Sequence, residues 1–162
     1  MRPERRAGAI AALLGAAALG VAWIAEHRLS MAPCALCLIE RWPYRVLLAM
    51  GLAAFLAPAR LARPLVLLCA LPLLAGVALS LTHVGVEQQW WPDPLPQCMA
   101  PHFHGGSFSE RLASMPRYPA KPCDTPNRLI TFLPVSMASL DLLYVLLASA
   151  LIVVARRGRS VH

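Results

Sequence analysis

Charge is scarce in this chain. Charged residues make up only 14% of its 162 residues, whereas soluble domains carry about 25%. Hydrophobic residues reach 58%, with a mean hydropathy of +0.58. These values exclude a disordered chain and an ordinary water-soluble domain. Lysine is nearly absent as well, and the arginines lie in small groups between apolar runs, which argues against a nucleic-acid-binding protein. We therefore predict a membrane protein.

Four apolar runs are candidates for membrane spans, since crossing a bilayer takes about 20 residues. The predicted spans are 7–25, 42–59, 64–82 and 135–155. Pro72 in the third run predicts a kink. Three arginines before the first run are also typical of a signal peptide, but three more runs follow, so we interpret the first as an uncleaved span. The predicted fold is an all-α membrane protein, a four-transmembrane-helix bundle forming one domain over residues 1–162.

The arginines also predict the orientation. In a four-span bundle the N-terminus, the middle loop and the C-terminus share one side, which holds eight basic residues and one acid, Glu4. The other side holds seven basic and seven acidic residues. Because positive loops stay in the cytoplasm, the loops 26–41 and 83–134 should face outwards.

The long second loop contains one predicted helix. Ser107 and Glu110 have the spacing of a capping box, and Pro116 should end the helix that they begin. An apolar stripe follows at helical spacing (Phe108, Leu112, Met115). We expect this short helix to lie flat on the outer membrane surface.

Four of the five cysteines fall in the outward loops. Cys34 and Cys37 form a CxxC motif in the first loop, and Cys98 and Cys123 lie 25 residues apart in the second. In an oxidising compartment these two pairs predict two disulfides. The fifth, Cys69, lies inside the third apolar run, where a thiol behaves as a small hydrophobe.

Three uses of the outward cysteines remain open. They could be structural disulfides, part of a metal site, or a thiol–disulfide exchange centre. The candidate metal ligands are Cys98, His102, His104 and Cys123. A CxxC motif closes too small a loop to stabilise a fold well, and it lacks a second closely spaced ligand pair. The pattern therefore favours exchange chemistry.

The CxxC motif stands just before the second span, with Arg41 four residues after Cys37. If the helix begins near the motif, both side chains lie on the same face. A fixed cation there would favour a Cys37 thiolate and could hold an electronegative acceptor beside it. The alternative is an arginine that only anchors the helix at the membrane surface.

The sequence resembles the DsbB family of quinone-dependent disulfide oxidoreductases. The resemblance rests on the CxxC and basic residue within Pro33–Arg41, on His83–Glu87 and Trp90–Pro92 after the third span, on Cys98 and Cys123, and on Phe132–Ala138. It extends over essentially the whole chain.

The resemblance implies a thiol:quinone oxidoreductase of the bacterial inner membrane, with no metal. Its implied partner is a periplasmic DsbA-like thiol oxidase, and its implied cofactor is ubiquinone or menaquinone. A reduced partner would attack the Cys98–Cys123 disulfide at Cys98, and Cys123 would pass the electrons on to Cys34. Cys37 would then face the quinone, near Arg41 and His83; the implied site residues are thus Cys34, Cys37, Cys98, Cys123, Arg41 and His83.

Asp141 departs from the family pattern, which often has a neutral polar residue there. We interpret it as a residue of the first turn of the last helix, near the surface and favoured by the helix dipole. Two other functions stay open: a vitamin K epoxide reductase-like enzyme, whose CxxC would be expected later in the chain, and a metal-binding or structural membrane protein.

Overall fold

The computed structural model describes residues 2–98, 107–110, 121–128 and 135–157. Its five longer helices are α1 (Pro3–His27), α2 (Ala35–Leu56), α3 (Ala59–Leu68), α4 (Ala70–Glu87) and α5 (Met137–Arg157), and a short 3-10 helix covers Pro96–Cys98. The candidate metal ligands His102 and His104 lie outside the described residues. So do the stretch 132–134 of the family resemblance and the predicted surface helix beyond Glu110.

The start of the predicted surface helix is present. The Ser107 backbone N–H donates to Glu110 Oε2 at 2.8 Å, and the Glu110 backbone N–H donates to Ser107 Oγ at 3.4 Å. These two reciprocal bonds make a capping box, and residues 108–110 are helical.

Helices α1 and α2 pack closely because glycines line their interface. A Cβ atom on Gly51 of α2 would lie only 2.5 Å from the Ala12 backbone nitrogen of α1. One on Gly15 of α1 would lie 2.9 Å from the Tyr44 carbonyl oxygen. Small residues of this kind let membrane helices approach closely, where van der Waals packing drives association.

Helices α3 and α4 form one long segment that is interrupted at Cys69. Pro72 lacks the N–H that would bond to the Leu68 carbonyl, so the interruption lies where the proline predicts a kink. Cys69 is fully buried in a core cluster with Tyr44 and Leu73. Its thiol therefore fills space as an apolar group does.

Within the described residues, three helical segments are long and apolar enough to cross a membrane: Pro3–His27, Ala59–Glu87 and Met137–Arg156. Helix α2 has 22 residues, but its first half carries Glu40, Arg41 and Arg45. The chain is thus an all-helical membrane protein, and the count of four spans stays a prediction.

Candidate functional site

The CxxC motif forms the beginning of α2. Cys34 is the N-cap residue, with extended backbone, and its Sγ accepts a hydrogen bond from the Cys37 backbone N–H at 3.1 Å. It thus does what a serine or aspartate does at other helix starts. Both cysteines are free thiols. The structure thus holds this pair in the reduced state, with the Cys34 sulfur capping the helix, and of the two predicted disulfides only Cys98–Cys123 is formed in it.

The surroundings of Cys34 favour its thiolate. The Cys37 side chain donates a hydrogen bond that lowers the pKa of Cys34, and the Cys37 backbone N–H lowers it further, against the opposing effect of burial. The helix N-terminus adds a partial positive charge. In this reduced pair the Cys37 backbone N–H thus supports a thiolate at Cys34, and the Cys37 thiolate expected from the sequence stays a prediction.

Cys98 and Cys123 form a disulfide. The exposed fractions of the two residues are 0% and 1%, and Cys34 packs in the same hydrophobic cluster. A parallel bridge between Cys34 and Lys121 holds the end of the second loop beside α2. The fold thus brings together both cysteine pairs, which lie far apart in the sequence.

The same disulfide weakens the metal-site alternative. Each of the two sulfurs is bonded to the other, so Cys98 and Cys123 offer no thiolate to a metal ion. The other two candidate ligands, His102 and His104, lie outside the described residues.

A cavity of about 360 Å³ opens between α1, α2, α4 and α5. Its walls are mostly apolar, as is usual for sites that bind a small organic ligand. Polar side chains gather in one part of the wall: Glu26, Cys37, Glu40, Arg41, Tyr44, His83, Asn127 and Asp141. Cys37, but not Cys34, is among the lining residues, so the two thiols of the motif face different surroundings.

Arg41 lies on the cavity wall, but its charge is paired. One guanidinium nitrogen donates to Glu26 Oε2 at 3.0 Å, and a second donates to Glu26 Oε1. The third nitrogen, Nε, is buried and has no hydrogen-bond partner within the part of the chain that the structure describes. Sequence reasoning missed Glu26, although an acid at the end of an apolar span is an available signal.

His83 links the cavity to the first cysteine pair. Its Nδ1 lies 2.9 Å from Glu40 Oε1, and its Nε2 lies 3.5 Å from Cys34 Sγ. The exposed fraction of His83 is only 3%. The structure therefore places this sequence-predicted residue between the Cys34 sulfur and a buried carboxyl group. Glu40 was not predicted as a site residue, although it is buried on the cavity wall.

Asp141 corrects the sequence interpretation. It lies in the second turn of α5, which begins at Met137, and its carboxyl group faces α2 and α4. Its Oδ1 accepts a hydrogen bond from the Tyr44 hydroxyl at 2.7 Å, and its Oδ2 accepts one from Ser80 Oγ at 2.6 Å. These partners on α2 and α4 hold the carboxyl group inside the helix bundle, at the cavity wall. An acid inside an apolar run was the signal for such a role.

Comparisons with known proteins agree with this chemistry. No curated protein and no solved structure gave a significant match. A family model described as disulfide bond formation protein DsbB matches residues 4–155, which is nearly the whole chain. The paired cysteines and the apolar helices suit a membrane oxidoreductase that forms disulfide bonds. This chain therefore belongs to the DsbB family.

Proposed function

We propose that this protein reoxidises a periplasmic DsbA-like dithiol oxidase and passes the electrons through its two cysteine pairs to a membrane quinone. One observation carries the proposal. The first pair has one sulfur, Cys34, packed against the Cys98–Cys123 disulfide and the other, Cys37, on the wall of an apolar cavity. A relay between a thiol partner and a lipid-soluble acceptor needs a pair of this kind.

The cavity residues fit a quinone. A quinone has an apolar ring and two carbonyl oxygens, so its site needs apolar walls and at least one donor. Arg41 Nε is a buried donor that lacks a partner among the described residues, and an unsatisfied buried group of this kind suits a ligand acceptor. Arg41 would hold ubiquinone or menaquinone beside Cys37, and His83, whose ring nitrogens face Glu40 and Cys34, would contact it with its ring. The quinone would supply the electron acceptor.

The relay follows from thiol–disulfide exchange. A partner thiolate attacks Cys98, which forms a mixed disulfide and releases Cys123 as a thiolate. The partner's second thiol then attacks this mixed disulfide, so the partner leaves oxidised and Cys98 becomes free. Cys123 attacks an oxidised Cys34–Cys37 pair at Cys34, and Cys37 is released at the cavity. Cys98 finally attacks Cys123, which re-forms their disulfide and releases Cys34. The re-formed Cys98–Cys123 disulfide and the two free thiols of the first pair are the state expected before the electrons leave.

The proposal also includes four membrane spans, with α2 as the span that its charges leave in question. Helix α2 packs between α1 and α4, and its charges lie in its first half, where they would meet the membrane surface. The loops that carry Cys34 and Cys98 then face the periplasm of a bacterial inner membrane, and the arginine-rich ends remain cytoplasmic. Labelling of single introduced cysteines from each side would test this topology.

The main test is quinone reduction by the purified full-length protein in detergent, supplied with a reduced DsbA-like protein. We expect quinol to form in proportion to the partner oxidised. A matched control is Cys69→Ala, which removes the thiol that lies outside both pairs and should leave the rate unchanged. Partner oxidation without quinol formation would contradict the quinone as acceptor.

Metal binding is a second candidate, because Cys34 Sγ, Cys37 Sγ and a ring nitrogen of His83 lie within 4.8 Å of one another. Metal analysis of the purified protein, combined with thiol counting, separates the two functions. A stoichiometric metal that protects both thiols from alkylation would favour the metal site. Two thiols that disappear when quinone is added would favour the relay.

A further inference from the structure

The carboxyl group of Asp141 is not used by the relay described above. It lies between three helices, bonded to Tyr44 of α2 and Ser80 of α4, and it lines the same cavity as Cys37. An acid within a membrane helix is costly and usually functional. Since Asp141 lies on the wall of this cavity, we expect it to act on the reaction that takes place there.

The Ser80 hydroxyl has two oxygen atoms within hydrogen-bond distance but only one proton to donate. Its Oγ lies 2.9 Å from the Gly76 carbonyl oxygen and 2.6 Å from Asp141 Oδ2, and the residue is fully buried. A hydroxyl group donates a single hydrogen bond at a time. If Ser80 donates to Gly76, as helical serines commonly do to the carbonyl four residues back, the short contact with Oδ2 requires a proton on Asp141.

Two protonation states therefore fit the same positions of the heavy atoms. In the ionised state Ser80 donates to Oδ2 and Tyr44 donates to Oδ1. In the neutral state the Asp141 carboxyl donates to Ser80, and Ser80 donates to the Gly76 carbonyl. Every hydroxyl group is satisfied in both states, so the carboxyl can gain or lose a proton without rearrangement of the helices.

We propose that Asp141 holds an exchangeable proton and delivers it into the cavity, with the Tyr44 hydroxyl as the connecting group. Tyr44 lines the cavity and lies 2.7 Å from Oδ1. For delivery the carboxyl proton lies on Oδ1, where it is donated to the Tyr44 oxygen, while Ser80 donates to Oδ2 and the Tyr44 proton points into the cavity. As the hydroxyl proton of Tyr44 leaves for the cavity, the Oδ1 proton replaces it. The remaining carboxylate keeps its bonds to Tyr44 and Ser80.

This inference rests on the proposed function. The electrons and protons of the complete reaction balance without another reactant. Closure of the Cys34–Cys37 disulfide releases two electrons and two protons. Conversion of a quinone into a quinol takes up the same number of each. Asp141 lends one proton to this conversion and recovers one of those that the thiols release.

The first experiment measures the proton itself. Infrared spectra of the full-length protein in detergent, recorded without quinone, should contain the C=O stretch of a protonated carboxyl group that shifts in D₂O. Asp141→Asn should remove this band and still fold, because its amide can accept from Tyr44 and donate to Ser80. A spectrum in which Asp141→Asn removes no protonated-carboxyl band would overturn the proposal.

Two variants sharpen that measurement. Ser80→Ala removes a partner of Oδ2 and should shift the Asp141 band. Ser149→Ala is the matched control, since Ser149 also lies on a membrane helix and donates to the carbonyl four residues back, that of Val145, at 2.7 Å. It should leave the band unchanged. Equal shifts in both variants would mean that the band does not report on Asp141, and would count against the proposal.

The second experiment measures the transfer. Asp141→Asn and Tyr44→Phe should each lower kcat for quinone reduction by about tenfold or more, with little change in the KM for quinone, since proton donors typically contribute at least this much. Asp141→Glu should restore part of the rate. Wild-type kcat in Asp141→Asn would overturn the delivery step. Absence of quinone reduction in the wild type would overturn the proposed function, while the infrared band would still decide whether Asp141 holds a proton.

Discussion

The two cysteine pairs differ in how the fold holds them. Cys34 and Cys37 lie at the beginning of a 22-residue helix, where backbone hydrogen bonds fix both residues. Cys98 and Cys123 lie 25 residues apart in a loop, joined by their own disulfide. The first pair is therefore fixed in position beside the cavity. The second pair is held instead by contacts of the long loop with the start of α2.

The burial of Cys98 and Cys123 limits which thiols can reach their disulfide. The second pair is almost completely inaccessible, with exposed fractions of 0% for Cys98 and 1% for Cys123. A protein-sized thiol partner cannot reach a sulfur that is covered in this way, because exchange requires access to the sulfur. Under the proposed relay, reaction with a partner would therefore require the loop to open, whereas exchange with Cys34 would take place in the closed arrangement.

Replacing single cysteines should give the largest effects and should separate the pairs. Cys123→Ser should abolish partner oxidation and trap a mixed disulfide between Cys98 and the partner, because the resolving thiol is absent. It should leave Cys34 and Cys37 able to form a disulfide when quinone is added. Cys37→Ser should abolish quinol formation, yet allow the partner to reduce the second pair once. Non-reducing gels and thiol counting measure both outcomes.

Cys98→Ser provides the decisive contrast. If it oxidised the partner at the normal rate, and if Cys123→Ser trapped no complex, the second pair would be a structural disulfide. Electrons would then not pass between the two cysteine pairs. Cys69→Ala is the control for loss of a buried thiol, because Cys69 packs in the core away from both pairs.

Arg41 variants should have the next largest effect. The effect should be confined to the reaction of the Cys34–Cys37 pair with quinone. Arg41→Met should raise the KM for quinone about 10- to 100-fold, the loss expected for a hydrogen bond from a charged donor. Arg41→Lys should be impaired less, since it keeps the charge but loses the planar fork. The rate at which partner reduces Cys98–Cys123 should not change. Unchanged quinone kinetics in Arg41→Met would leave Arg41 as a helix anchor.

Glu26→Gln tests whether the ion pair positions Arg41. Glu26 accepts two hydrogen bonds from the guanidinium group, so its loss should free the side chain. We expect a rise in KM smaller than that of Arg41→Met and no change in the alkylation of Cys34. An effect on KM as large as that of Arg41→Met would mean that the pair acts as a unit.

The sequence predicts those parts of the molecule that depend on local patterns. Apolar runs predict the membrane helices, Pro72 predicts the interruption at Cys69, and the spacing of Ser107 and Glu110 predicts a capping box. The cysteine spacing and the adjacent Arg41 are also local features. They point to the DsbB family, because the family pattern is carried by short stretches of sequence.

The parts of the structure that the sequence does not predict depend on contacts between helices. Glu26 lies 15 residues from Arg41, and Asp141 lies 97 residues from Tyr44. No local pattern shows which acid meets which partner across a bundle. The same limit applies to the thiolate, since the donor position of Cys37 becomes clear only when Cys34 is known to cap the helix.

The reactivity of Cys34 should show the effect of the helix cap. Its lowered pKa means that the thiolate is already present at a pH where an ordinary cysteine is protonated, so alkylation of the reduced protein should begin at lower pH. Cys37→Ala keeps the backbone donor but removes the side-chain donor, and it should slow alkylation at neutral pH about tenfold. Mass spectrometry of the Cys34 peptide measures this rate. An unchanged rate would mean that the backbone N–H and the helix terminus alone lower the pKa.

The smallest expected effect concerns the opening of the second pair. Asn127 connects the loop to the rest of the protein, because its side chain donates to the Ala32 carbonyl at 3.2 Å and accepts from Lys121 Nζ at 2.7 Å. Asn127→Ala should remove about 1 kcal/mol of closing free energy. Reduction of Cys98–Cys123 by a small dithiol should then become about fivefold faster.

Thr125→Ala is the matched control for this loop. The Thr125 hydroxyl donates only to its neighbour Asp124 in the described structure, at 3.2 Å and exposed to solvent, so its removal should not change the reduction rate. Equal acceleration in both variants would mean that any change in the loop opens it. No acceleration in Asn127→Ala would mean that the hydrophobic cluster around Cys34 alone keeps the second pair closed. The difference between the two pairs would then originate in packing and not in these hydrogen bonds.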